Sequence, residues 1–207
     1  MELVQELVDN CGISIIDHFV YRSRLNLKPD EMEHSVFDSP SFKTQKIWRN
    51  RFQPLSINCL YAAGSESTAV LEILPAIAEV DDVIYVAELK IEKSLRVLDL
   101  VNNIKFMSGG KKEWDYKPVM APMFFNEDPT AETKTIESTR MISQLVSDRG
   151  LDGIRYTSRC DHLSNLKRGK ISVDFNYVIY GSPIEDGRIS FNPRLVKKYR
   201  LNQFVTP

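Results

Sequence analysis

The stretch from Arg51 to Glu72, RFQPLSINCLYAAGSESTAVLE, constrains this chain more than any other. Its first half reads as a loop feeding a short strand, Ile57 to Ala62. Gly64 and the Ser/Glu/Thr cluster after it mark a turn and a helix start, where Ser65 or Ser67 can cap the first amides and Thr68 to Ile73 continues with good helix formers. Tyr61 is thereby placed near the C-terminal end of a strand, and Glu72 about one and a half turns into the helix. A loop, a strand and a helix in that order can converge Arg51, Tyr61 and Glu72 on one cleft. Each residue alone is ordinary: a solvated loop cation, a strand ring with a wet hydroxyl, a surface helical acid. Glu72 stands out because Ala69, Val70, Leu71, Ile73 and Leu74 surround it, and a carboxylate in so apolar a window is either on a single polar edge or held in a site.

The rest of the composition narrows the class. A chain of 207 residues with 43% hydrophobic content can bury a full core, and residues 1–207 are expected to form a single domain. A formal charge of −1 and a pI near 6.3 give no reason to expect nucleic acid or anionic lipid as the main partner. No apolar run approaches a membrane span and the start lacks signal-peptide order, so a cytoplasmic location is the expectation. Cys11, Cys59 and Cys160 are odd in number and scattered, with no CxxC or Cys/His cluster, which reads as reduced thiols and no metal site.

In chain order, residues 1–17 open with Leu3, Val4, Leu7 and Val8 at helical spacing, stopped at Gly12, and are read as an N-terminal docking helix. Ile13 to Leu25 reads as one strand, ending in Tyr21-Arg22-Ser23-Arg24. The segment from Ser39 to Asn50 carries Lys43, Lys46, Trp48 and Arg49, a basic stretch more in keeping with a solvated loop than with a nucleic-acid contact. Asp81-Asp82 turns into an alternating strand, Val83 to Lys90, and Leu95 to Leu100 is another. Residues 101–130 hold Gly109-Gly110-Lys111-Lys112, which fails the P-loop spacing, and their length predicts an irregular insertion or lid. A helix from Thr130 buries Ile136, Met141, Ile142, Leu145 and Val146 and closes at Arg149-Gly150. Asp152 to Ser158 makes a turn and a short strand with Ser158 at its end, Ile171 to Tyr180 is a β run, and Val196 to Val205 has strand character with Lys197 and Lys198 blunting an edge. The strands and helices do not alternate strictly, which predicts α+β.

The order Arg51, Tyr61, Glu72 and then Ser158 after Asp-Gly-Ile-Arg-Tyr resembles the RES family, named for its Arg, Glu and Ser. Leu60-Tyr61-Ala62-Ala63, Thr68-Ala69 and Leu71-Glu72 resemble its core motif, Val97 to Leu100 its next strand and Asn176 to Tyr180 its last. Tyr21-Arg22 resembles the arginine near the start of such domains. Coverage runs over residues 18–205. The sequence departs from the family at Asn50, where a glycine often stands, and in the longer, basic run between Ser158 and Asn176, so Thr157 and Ser164 stay open as alternatives to the serine.

The resemblance implies a toxin-like enzyme that cleaves the nicotinamide–ribose bond of NAD by hydrolysis or phosphorolysis, on an ADP-ribosyltransferase-like mixed core with two small β-sheets, flanking helices and a cleft. It further implies an antitoxin partner, with NAD as substrate and neither metal nor bound cofactor. Transfer of ADP-ribose to a protein, and a non-catalytic binding module on the same scaffold, are the alternatives. Glycosidic cleavage passes through an oxocarbenium-like state, which an ionised Glu72 can stabilise. Arg51 offers a planar donor fork to a phosphate or pyrophosphate oxygen pair, and the resemblance counts Arg22 among the substrate-binding residues. Tyr61 could stack on nicotinamide or donate its hydroxyl, and Ser158 could hydrogen-bond the amide or ribose.

Overall fold

The computed structural model describes residues 2–28, 33–39, 52–54, 57–74, 81–101, 129–158 and 175–200. Arg51, Ser164, Cys160, the basic segment 40–50 and nearly all of the expected insertion lie outside them.

Among the described residues nine strands form the sheet: β1 Gly12–Ile16, β2 Phe19–Leu25, β3 Cys59–Ala63, β4 Val83–Ile91, β5 Leu95–Asp99, β6 Gly153–Thr157, β7 Phe175–Tyr180, β8 Ile189–Phe191 and β9 Lys197–Arg200. The helices are α1 Glu2–Asn10, α2 His34–Phe37, α3 Glu66–Ile73 and α4 Pro129–Asp148, with a 3-10 turn at Pro193–Leu195. The sheet order is β1-β5-β6-β7-β3-β2-β4-β8, with β9 also on β4. Every pairing is antiparallel except β5 with β6, which are parallel and joined through α4 as a crossover requires.

Three sequence expectations change. The docking helix occupies Glu2–Asn10 and not the whole of 1–17, because Gly12 starts an edge strand. The single strand over Ile13 to Leu25 is two strands, broken at Asp17-His18, and they part company: β1 pairs β5 while β2 pairs β4. In place of two small sheets there is one continuous sheet. Its halves nevertheless meet at a single register pair, Tyr21 with Ala63, whereas β2 and β4 run in register from Phe19–Lys90 to Leu25–Ile84.

Period-two alternation sorts the strands onto two faces. Cys59, Leu98, Ile154, Val178 and Tyr180 meet α1 and α4 through Leu7, Val8, Ile142 and Val146. Leu60, Ala62, Leu89, Val97, Tyr177 and Ile179 face a second cluster with Val20 and Phe37. A third, smaller cluster packs Ala69 and Val70 of α3 on Ala63, Ile84 and Val86. The stripe expected on α4 is buried at Ile142 and Val146, and Gly150 closes the helix at φ +67°.

Gly153 sits where β6 meets β7, and a Cβ there would lie 2.0 Å from the Val178 carbonyl oxygen and 3.1 Å from Ile179 Cα. Gly153→Ala is expected to destabilise the chain by about 1–3 kcal/mol. At roughly 2–4 °C per kcal/mol for a chain of this size, thermal unfolding checks it; an unchanged midpoint would show that the strands separate freely there.

Candidate active-site cleft

A cavity of about 360 Å³ opens where the two halves of the sheet diverge. Its walls are Tyr21 to Arg24 of β2, Tyr61 to Ala63 of β3, Ala69, Glu72 and Ile73 of α3, Tyr156 of β6 and Asn176 of β7. That size suits a small-molecule site.

Helix α3 is fixed over this cavity by local chemistry. The Ser65 hydroxyl accepts from the Thr68 amide at 3.1 Å, so Ser65 is the N-cap. At the turn before it, the Gly64 N–H donates to the Phe175 carbonyl at 2.8 Å. A Cβ on Gly64 would come within 2.3 Å of the Phe175 ring, so only glycine lets the turn approach β7 this closely. Phe175 is itself held under the Arg155 guanidinium, 3.9 Å from its centroid, and Arg155 pairs with buried Asp99 at 3.0 Å. From the other side the Ser23 hydroxyl donates to the Ala69 carbonyl at 2.7 Å, tying α3 to β2.

These contacts bring Glu72 to the cleft. The residue is exposed, but its carboxylate does not float: Oε1 accepts from the Ser158 hydroxyl at 2.5 Å and from the Asn176 amide at 2.7 Å. Oε2 has no partner among the described residues. Ser158 follows β6, as expected, but is only 1% exposed and lies behind Glu72, outside the cavity lining. Thr157 belongs to β6 and pairs with Phe175.

The lining also includes two arginines of β2. Arg22 is 5% exposed; its Nη1 donates to the Tyr61 carbonyl at 2.7 Å, and its Nε has no partner among the described residues. Burial pushes its pKa well below the usual arginine value, nearby Arg24 pushes it further, and Asp38 opposes both from beyond ion-pair distance. Arg24 donates from Nε to the Val36 carbonyl at 2.9 Å, and burial lowers its pKa to about 10. Neither makes an ion pair with a carboxylate among the described residues. A buried cation without a counter-ion is costly, so an entering anion would be stabilised by both.

Tyr61 completes the floor. Its hydroxyl is buried with no well-formed hydrogen bond among the described residues, the Phe52 backbone being its polar neighbour in effect. Burial raises its pKa well above the phenol value, with Cys59, Tyr156 and Tyr180 adding to the rise and the Phe52 backbone opposing it. It therefore stays a neutral phenol with a donor to offer. Phe52 stacks obliquely on Tyr156, ring centroids 4.8 Å apart.

Of the residues named from sequence, the structure thus brings Arg22, Tyr61 and Glu72 to one cavity and sets Ser158 against Glu72; Arg51 lies outside the described residues. Sequence reasoning missed Arg24 and Asn176. Arg24 follows Arg22 by two positions on a strand, hence on the same face, and Asn176 is a poor strand former inside a strong β run. Both signals were present. Among the described residues no group of three or more His, Cys, Asp or Glu is placed to hold a metal, and no helix is long and apolar enough to cross a membrane.

Comparison with known proteins follows the same lines. A search of curated proteins found no match. Among solved structures, the chain is similar to the M. tuberculosis MbcT–MbcA toxin–antitoxin complex, with a TM-score of 0.54 and 15% identity over 96% of this chain and 91% of that one. Identity that low speaks for a shared fold alone. The RES domain model, by contrast, matches residues 20–187, well over half of the sequence, and spans both arginines of β2, Tyr61, Glu72, Ser158 and Asn176. The protein belongs to the RES-domain family.

Proposed function

We propose that this chain cleaves the bond between nicotinamide and ribose in NAD, in the cytoplasm, as the toxin of a toxin–antitoxin pair. The observation that carries the reading is the charge in one cavity: its lining holds Glu72, whose Oε2 has no partner among the described residues, together with Arg22 and Arg24, which make no ion pair with a carboxylate among the described residues. A dinucleotide matches it, with a diphosphate for the arginines and a ribose that becomes cationic for the acid.

The chemistry follows from those positions. As the C1′–N bond breaks, its electron pair leaves with nicotinamide, which departs neutral, and positive charge develops on the ribose ring. Glu72 stabilises that charge through Oε2 and binds ribose hydroxyls before it forms. Water or phosphate then bonds to C1′, with water losing its proton to the solvent. The Tyr61 hydroxyl supplies a neutral donor or a ring face for nicotinamide. Arg22, Arg24 and, on the family resemblance, Arg51 hold the diphosphate. Ser158 supports Glu72 from behind. An ADP-ribosyltransferase-like core accords with a cleft between diverging halves of a sheet. An antitoxin partner is supported by the structural neighbour, which is a toxin–antitoxin complex.

Incubating the pure protein with NAD and resolving the products tests the reading. Free nicotinamide with ADP-ribose or its phosphorylated form is expected; a labelled protein instead would identify ADP-ribose transfer, and intact NAD would sink the proposal. Glu72→Gln is expected to bind NAD while turnover falls on the order of a hundredfold, about 3 kcal/mol of transition-state stabilisation. Near-normal turnover would remove Glu72 from the mechanism.

The arginines can be tested without turnover. Millimolar inorganic diphosphate is expected to raise the thermal midpoint of the wild-type protein by a few degrees through binding linkage. In Arg24→Gln that shift should shrink while the midpoint without ligand changes little. An equal shift in both proteins would place the anion elsewhere.

A further inference from the structure

Glu72 is an exposed residue of α3 with three rotatable side-chain bonds, and holding such a side chain in one arrangement costs rotamer entropy. The two hydrogen bonds that hold it are unusually placed. A carboxylate offers about four acceptor positions over its two oxygens, yet both donors, Ser158 Oγ at 2.5 Å and Asn176 Nδ2 at 2.7 Å, go to Oε1. The donors come from separate parts of the chain. Ser158 follows β6 and is 1% exposed, while Asn176 is 5% exposed and lies in β7 between Ala63 of β3 and Tyr156 of β6, paired on both sides. Glu72 is thus anchored to the sheet by one oxygen and presents the other to the cavity that Asn176 also lines.

We infer that Asn176 is a positioning residue for Glu72: together with Ser158 it pins Oε1 so that Oε2 is delivered to the reacting ribose. This rests on the reading of Glu72 given above. An amide suits the task because it donates to a carboxylate without carrying charge. A lysine or arginine there would neutralise the group meant to meet a developing cation. A second acid would repel it.

The inference separates from a merely structural role for a buried strand asparagine. If Asn176 acts through Glu72, removing it should matter only while Glu72 is present, since residues that act as a unit are non-additive. Steady-state nicotinamide release is measured for wild-type, Asn176→Ala, Glu72→Gln and the double variant. Asn176→Ala is expected to lower kcat roughly 10- to 100-fold, the range for a lost catalytic hydrogen bond, with KM changed by less than about threefold, and to cost almost nothing further in the Glu72→Gln background. Asn176→Asp keeps the shape and folds where alanine leaves a gap; it should lower kcat at least as far, because it sets one carboxylate against another. Losses that multiply in the double variant, or full kcat in Asn176→Asp, overturn the positioning role. If the wild-type protein leaves NAD intact, the NAD reading itself has failed before any variant is compared.

Discussion

A hydrogen bond from the Arg22 guanidinium to the Tyr61 main-chain carbonyl spans the place where this sheet parts. Elsewhere the strands are laced over several residues, five between β3 and β7 for example, but β2 and β3 share only Tyr21 with Ala63. Main-chain carbonyls that lose a ladder partner must find another or face water. Here a side chain from β2 reaches over to one of them, and the gap it crosses becomes the cleft. Its Nε is left unpartnered among the described residues, so the group that closes the seam in the fold is also primed for an anion.

The acid on the other wall is governed by a different physics. Glu72 lies at the exposed surface of a short helix, where side chains are ordinarily mobile. Order comes from outside the helix. The Ser65 cap, the Ser23 hydroxyl on the Ala69 carbonyl and the close approach of Gly64 to Phe175 set the helix axis. Ser158 and Asn176 then set the side chain. Exposure and placement are compatible because one carboxylate oxygen takes both hydrogen bonds.

Much of this was legible in the sequence, for local reasons. The short apolar run ahead of Gly64 and the serine ahead of Thr68 specify a strand, a turn and a capped helix without tertiary help; Tyr61 falls in the middle of its strand and not near the end, and Glu72 in the last turn of the helix. The break at Asp17-His18 was missed because Ile13 to Ile16 and Phe19 to Leu25 have the same β character; only their partners differ, and pairing is a long-range choice. Strand β8 was missed because three residues hold too little pattern to read. Ser158 was named, but its partner was not: which of its neighbours a buried hydroxyl meets depends on how α3 lies across β6 and β7. Arg24 was named only as the end of a strand, and its half-burial comes from the fold around it.

Because Arg22 grips the peptide backbone at position 61 and not the phenol, the two residues are under unequal constraint. Drift at position 61 can exchange the ring for another and alter what the pocket recognises while leaving the architecture intact. Drift at position 22 has no such freedom, since one replacement would unfasten the scaffold and blunt the pocket together. The lineage can therefore retune its ligand from one side of this contact only.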